Sequence, residues 1–389
     1  MRAIYYSGKN KLTTGTVNDP EILNPQDVIV KVHYSSVCGS DLHYLHGYVP
    51  SMKEGDIIGH EFAGEIVDVG AAVKKLQKGD RVVVAPNLGC GSCYHCEHEE
   101  YSLCDNSNQN GYLEEKMMGY PTGAFFGCSH LFGGYAGSHA EYIRVPYGDV
   151  GCFKIPENMS LRQALFASDA FSTGFMGADI SVKEGDTVAV WGAGAVGQMA
   201  AAGAKLKGAK KVFIIDQYNY RLNLAAQNIG TETLNFKTDD IQEILREKTG
   251  GRGPDVCIDA VGMEADSTGF ENAYDRAKQA VRLQNDRPSA LRQAIMACRK
   301  GGTLSVMGVY GGFADKFPIG PLVAKGLTVK SGLVHAQKYI PTLLNYIEKG
   351  DIDPTYMITQ EWNLDQGHEG YQFFANNRDE CLRGVFKIG

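Results

Sequence analysis

The sequence predicts an α/β protein of two domains, one an irregular β-rich unit and the other a doubly wound parallel sheet. Three observations carry that prediction. At 389 residues the chain is long for one core, because domains usually run about 100–200 residues. The apolar pattern changes near residue 168, from period-two runs broken by turns to short apolar strands separated by Ala-, Leu- or Gln-rich helical stretches, which is the alternation of a parallel sheet. A glycine-rich turn, residues 192–197, stands between one such strand and one such helix.

Taken in order, Asp27–His33, Gly64–Gly70 and Asp80–Ala85 have the alternation and turn boundaries of strands in an irregular β domain. After residue 168 come the strands Thr187–Trp191, Lys211–Ile215, Asp255–Asp259, Thr303–Met307 and Leu327–Lys330. A closing segment from about residue 340 ends in the strand-like Gly384–Ile388 and has the character to pair back with the first domain. The expected division is therefore 1–168 with 340–389 for the β-rich domain, and 169–339 for the parallel sheet. One polar stretch, 262–288, interrupts the rhythm before the helical Ala290–Ala297. It reads as a solvated surface excursion, with a flap over a bound ligand as the alternative.

Composition excludes several function classes. With 43% hydrophobic residues, 21% charged residues and a formal charge of -7, the chain has no broad basic field to attract nucleic acid or an anionic membrane. The amino end, MRAIYYSGKNKL, lacks the apolar core of a signal peptide, and no stretch of about 18 residues is apolar throughout. A cytoplasmic protein acting on a small, mildly polar substrate is expected. Ten cysteines are too sparse for a disulfide-built scaffold of this size.

The turn Gly192-Ala-Gly-Ala-Val-Gly197 follows a strand and opens the helical run Gln198–Leu206. Gly192 suits the tight turn, Gly194 lets backbone approach a pyrophosphate, Gly197 lets helix pack on strand, and Ala195 and Val196 supply the first N–H groups of the helix. Asp216 closes the next strand nineteen residues after Gly197, where a carboxylate can accept from adenosine ribose hydroxyls. That carboxylate would repel the extra phosphate of NADP, and Gln217 and Tyr218 bring no offsetting cation. NAD is expected; Arg221 keeps the NADP alternative open.

Two sets of metal-ligand types stand out. Cys90, Cys93, Cys96 and Cys104 are spaced C-x2-C-x2-C-x7-C, a loop able to close four thiolates around one tetrahedral zinc with no open position, so this ion would organise structure. Glu97, Glu99, Glu100 and Asp105 surround it, and that acidity argues against a nucleic-acid finger. The second set is dispersed: Cys38, His60 and Asp169 offer sulfur, nitrogen and oxygen. Three protein ligands with one open position describe a catalytic zinc.

In combination, CGSDLH, GHEFAGEIVDVG, the four-cysteine lobe at about 88–106, GAGAVG, the Asp216 strand and RKGGTLSVMG resemble the zinc-dependent medium-chain alcohol dehydrogenases over nearly the whole chain. The resemblance implies a GroES-like catalytic domain, a Rossmann domain inserted before its last segment, and a site in the cleft between them. It implies Cys38, His60 and Asp169 as inner ligands of catalytic zinc, Glu61 as a neighbouring catalytic carboxylate able to stand behind the ligands or exchange with the substrate oxygen, Asp41 as the group orienting His60, and Ser40 and His43 as a proton relay. Arg383 resembles a pyrophosphate-contacting arginine. Asp169, where many relatives have cysteine or glutamate, and the insert near 262–288 make the chain look closest to the glutathione-independent formaldehyde dehydrogenase and aldehyde dismutase branch. The activity implied is zinc-dependent, NAD-linked interconversion of alcohols with aldehydes or ketones in a homodimer or homotetramer. Formaldehyde oxidation, dismutation with tightly held NAD, and polyol or secondary-alcohol oxidation are the alternatives, with a non-catalytic cofactor-binding protein as a different class.

Overall fold

The computed structural model describes residues 1–263, 287–312 and 316–389. The chain divides into two units, Met1–Ser172 with Val334–Gly389, and Thr173–Leu333. This places Asp169 in the first unit, where the sequence reading had set it at the head of the second. The reason is local: Ser168 Oγ donates to the Val84 carbonyl, and Ala170 N–H donates to Glu61 Oε1, so residues 168–170 are fastened to the β-rich unit.

That unit opens with an antiparallel pair, β1 (Arg2–Tyr6) and β2 (Leu12–Thr16). Its main sheet contains β3 (Val28–Ser36), β4 (Glu61–Val69), β5 (Arg81–Val84), β6 (Tyr142–Val145), β7 (Cys152–Lys154), β14 (Ile358–Asn363) and β15 (Arg383–Lys387). The strand order is β14-β15-β3-β4-β5-β7, with β6 also pairing to β3. Val28, Val30 and Val32 alternate into one core with Phe62, Ile66, Val82 and Val84, as the two-residue period of a strand requires. The closing segment returns as β15, whose Val385, Phe386 and Lys387 pair antiparallel with Ser36, Ser35 and Tyr34. Beneath it a second core gathers Ile4, Leu42, Tyr371, Phe374 and Phe386, so the helix Gly367–Asn376 is held against the sheet by its apolar face.

Among the described residues, the second unit is built on a six-stranded parallel sheet of β8 (Thr187–Trp191), β9 (Lys211–Asp216), β10 (Glu232–Asn235), β11 (Val256–Asp259), β12 (Thr303–Val306) and β13 (Thr328–Ser331). Its order is β10-β9-β8-β11-β12-β13. The chain winds outward from β8 through β9 and β10, then returns to build β11, β12 and β13 on the other side. The carboxyl end of β8 is therefore a topological switch point, the place where open α/β sheets bind ligands. The insert expected at 262–288 falls largely on 264–286, outside the described residues. Its two flanks meet, with Arg287 N–H donating to the Met263 carbonyl at 2.8 Å. No helix among the described residues is long and apolar enough to cross a membrane.

Phe386 has no exposed surface and packs its ring on Tyr371, Trp362 and His139. Phe386→Ala is expected to cost the first unit about 3–5 kcal/mol, measured as a lowered urea midpoint with the far-UV spectrum of the native protein retained.

Candidate active site

Strand register explains why Cys38 and His60 meet. Ser36, the last residue of β3, pairs with Glu61, the first of β4. Cys38 lies two residues beyond one and His60 one residue before the other, so both fall at the same end of the sheet. Cys38 also ends the extended chain and leads the helix Gly39–Leu45. Asp169 arrives through β5: Val84 pairs with Phe62, and the Ser168 hydroxyl holds the Val84 carbonyl.

The three donor atoms lie within 4.8 Å of one another. Cys38 Sγ is 3.6 Å from Asp169 Oδ2, and His60 Nε2 is 3.4 Å from the same oxygen. A tetrahedral zinc with ordinary bond lengths would set those edges at about 3.5 and about 3.3 Å. All three residues are buried, and burying a carboxylate without a counter-charge is costly. Burial opposes a charge on His60, yet Asp41 and Asp169 outweigh it and hold the imidazole's pKa well above its usual value. A thiol, an imidazole and a carboxylate are donor types that zinc takes. The donor set fits zinc.

Asp41 Oδ1 lies 3.1 Å from His60 Nδ1, leaving Nε2 facing Cys38 and Asp169. Burial raises the proton affinity of Asp41, but His60 beside it prevails and the carboxyl pKa ends below normal. Ser40 Oγ is 3.3 Å from His60 Nε2. His43 follows three residues later on the same short helix, on the same face, and is buried. Glu61 points elsewhere: Oε1 accepts from Ala170 N–H at 2.7 Å and Oε2 is 3.3 Å from Arg383 Nη2. Burial raises its pKa against the pull of the arginine. Arg383 itself is buried, with Nη1 donating to the Val37 carbonyl at 2.5 Å. Its partners thus include Glu61, the Val37 carbonyl and the Cys38 side chain.

The four cysteines of the lobe also converge. Cys90 and Cys96 sulfurs are 4.0 Å apart, and those of Cys93 and Cys104 are 3.9 Å apart, close to the about 3.8 Å edge of a tetrahedral zinc–thiolate site. Burial opposes ionisation of Cys90, but the Ser92 N–H and the Asn106 amide prevail and bring its pKa down to about 6. His95 is engaged at 2.8 Å by Glu100 and His98 by the Tyr94 carbonyl, and the donor atoms that converge are those of the four cysteines.

In the second unit the turn has the shape its glycines require. Gly192 has φ +94°. A Cβ on Gly197 would lie 1.7 Å from the Gly192 carbonyl oxygen, whereas one on Gly194 would meet nothing within 4 Å. The open side is therefore over Gly194, where the helix Ala195–Leu206 begins and the first-turn N–H groups of Ala195, Val196 and Gly197 have no acceptor within the helix. The buried Asp216 carboxylate accepts from Ala193 N–H at 2.7 Å and from the Gln217 and Tyr218 N–H groups. It pins the turn as well as marking the end of β9. Arg221 stacks its guanidinium over the Tyr218 ring, 5.2 Å from the centroid. This cradle fits a dinucleotide phosphate.

These two sites on these two folds define a zinc- and nicotinamide-dependent oxidoreductase of the medium-chain type, and comparison with known proteins gives the same class. Residues 24–157 match the alcohol dehydrogenase GroES-like domain and residues 195–281 the zinc-binding dehydrogenase domain. The chain is similar to an uncharacterized zinc-type alcohol dehydrogenase-like protein of Bacillus subtilis, at 39% identity over the whole of both chains. It is also similar in structure to an alcohol dehydrogenase of Thermus sp. ATN1, with a TM-score of 0.84, 32% identity and full coverage of both. A glutathione-independent formaldehyde dehydrogenase of Bacillus subtilis matches at 30% identity over 96% of this chain and 94% of its own, a more distant likeness. The chain belongs to the zinc-type medium-chain alcohol dehydrogenase family.

Gly197→Ala should lower stability by about 1–3 kcal/mol through overpacking. Gly194→Ala should leave the unfolding midpoint in place and weaken dinucleotide binding, read by NADH fluorescence titration. Each of Cys38→Ser and Cys93→Ser should lower zinc content by one ion per chain, measured by atomic emission. The Cys93 variant should unfold earlier, and the Cys38 variant should keep its fold and lose turnover.

Proposed function

We propose that the protein is a zinc-dependent, NAD-linked dehydrogenase interconverting small alcohols with aldehydes or ketones. The observation that carries this reading is the convergence of Cys38, His60 and Asp169, three ligands of mixed type within 4.8 Å that leave a tetrahedral ion one open position. Zinc held there would polarise a substrate oxygen, and a nicotinamide dinucleotide anchored at the glycine turn would take the hydride. The remaining work falls to the chain. Ser40, beside His60, can accept the substrate's hydroxyl proton while donating its own, since a hydroxyl does both. His43, one helical turn on, is the next proton carrier, since an imidazole can accept at one ring nitrogen and donate from the other. Asp41 holds His60 in the tautomer that presents Nε2. The Arg383 guanidinium balances Glu61 and keeps that carboxylate directed away from the three ligands. Asp216 favours NAD, because a second ribose phosphate would meet its negative charge.

A second reading, aldehyde oxidation or dismutation, draws support from Asp169 as third ligand and from the likeness to the formaldehyde dehydrogenase. The hydrated aldehyde offers both a hydroxyl and a transferable hydrogen, so the same groups serve it. The test follows absorbance of reduced nicotinamide while the purified protein turns over a panel of primary, secondary and polyhydric alcohols and formaldehyde, with and without added NAD, alongside product analysis. Reduced cofactor accumulating with an alcohol only when NAD is added is the expected result. Equal acid and alcohol from an aldehyde without reduced cofactor would replace it with the dismutase reading. Turnover of none of the substrates by zinc-replete protein would sink both.

A further inference from the structure

Behind the metal ligands a continuous line of buried polar groups runs back from Asp41, and beyond Asp41 the proposed chemistry uses none of them. Asp41 Oδ2 accepts from the Cys38 N–H at 2.8 Å and from the Tyr371 hydroxyl at 3.1 Å. The Tyr371 oxygen is 2.9 Å from His139 Nε2. His139 Nδ1 is 2.7 Å from Ser35 Oγ, which is in turn 2.7 Å from Ser138 Oγ. Ser35, Ser138 and His139 have no exposed surface, and Tyr371 and Asp41 almost none.

The chemistry of the groups fixes the direction of every bond. A carboxylate only accepts, so Tyr371 must donate to Asp41. Its oxygen then accepts from His139 Nε2–H. Burial pushes the His139 pKa down to about 4, so the ring is neutral, and with its proton on Nε2 the Nδ1 lone pair accepts from Ser35. Ser35, having donated its only hydrogen, accepts from Ser138. The main chain repeats the connection: Ser138 N–H donates to the Gly59 carbonyl at 2.8 Å and His139 N–H to the Ile58 carbonyl at 3.0 Å, tying the same segment to the residues that lead into His60. A Cβ on Gly59 would fall 2.5 Å from His139 Nδ1, so the ring is packed directly on that approach.

We infer that Tyr371, His139 and Ser35 are positioning residues for the metal site: their one-way line of hydrogen bonds fixes the orientation of the Asp41 carboxylate and, through it, the plane of the His60 imidazole. The inference rests on the reading of Cys38, His60 and Asp169 as a zinc site. A carboxylate that accepts from two fixed donors cannot rotate to follow the imidazole, so His60 must align with it. Without the Tyr371 hydroxyl one of those donors is gone, and His139 Nε2–H is left facing a phenyl ring.

The test uses full-length protein, native and as Tyr371→Phe and Ser35→Ala. Zinc dissociation constants are measured by competition with a chromogenic chelator, and cobalt(II) is then placed in the emptied site for its visible spectrum. The expected result is about tenfold weaker zinc binding at one site per chain in Tyr371→Phe, the low end for an outer partner of a metal histidine. A smaller loss is expected in Ser35→Ala. The cobalt d–d bands should shift in both, with the four-cysteine zinc retained as an internal control of the fold. Native affinity and cobalt spectrum in both variants, even with a lowered unfolding midpoint, would overturn the inference and leave a purely structural role. Native protein that retains zinc only on the four cysteines would overturn the zinc reading itself.

Discussion

The first unit is organised around one electrostatic constraint: a thiol, an imidazole and a carboxylate must meet in a buried place and still leave room for a cation. Donors drawn from positions 38, 60 and 169 cannot be gathered by a local turn. The β3–β4 register supplies two of them by setting Ser36 opposite Glu61, and the Ser168–Val84 bond supplies the third. A slip of one residue in that register would turn every side chain of a strand to the other face. The apolar alternation that builds the core, Val28, Val30 and Val32 against Phe62 and Ile66, is therefore also what fixes the ligand spacing.

The two metal-ligand sets solve opposite problems with related chemistry. The lobe takes four sulfurs from a fifteen-residue stretch, so loop closure is cheap in entropy and an ion there completes its own shell. The dispersed set spans more than a hundred residues and three elements, so its geometry must be maintained by the fold. Buried ion pairs and hydrogen bonds cluster behind it for that reason: Asp41 with His60, Arg383 with Glu61, Tyr371 with His139. Such groups contribute little net stability, because desolvation offsets much of their attraction. Their effect is to restrict orientation.

Legibility in the sequence followed the range of the interactions. The apolar alternation of β3, the short apolar run of β8 and the glycine turn were readable because their signals are local. The short, largely polar β10 at the sheet edge, with only Leu234 buried among its four residues, has too little pattern to be seen. The same holds for β14, whose residues are half-buried or exposed. The identities of Cys38, His60 and Asp169 could be read, but their meeting depends on register and on a side-chain bond to a carbonyl. Tyr371 lies 330 residues from Asp41, and no spacing rule connects them; a lone Tyr or His on a helix or loop carries no mark of such a role.

Glu61 shows how the fold turns aside an acid that the chain places next to a ligand. It follows His60 directly and is the first residue of β4, and successive side chains on an extended strand leave it on opposite sides. While His60 turns toward Cys38 and Asp169, the Glu61 carboxylate turns to Ala170 N–H and Arg383. The arginine comes from β15, the strand that the closing segment adds beside β3. The last strand of the chain thus delivers, across the sheet, the positive charge that a buried glutamate beside the metal ligands requires, and the same stretch carries Tyr371 to Asp41. The return of the carboxyl-terminal segment to the first unit is for this reason more than a closure of its sheet edge: it brings both a counter-charge and a hydrogen-bond donor to the back of the site.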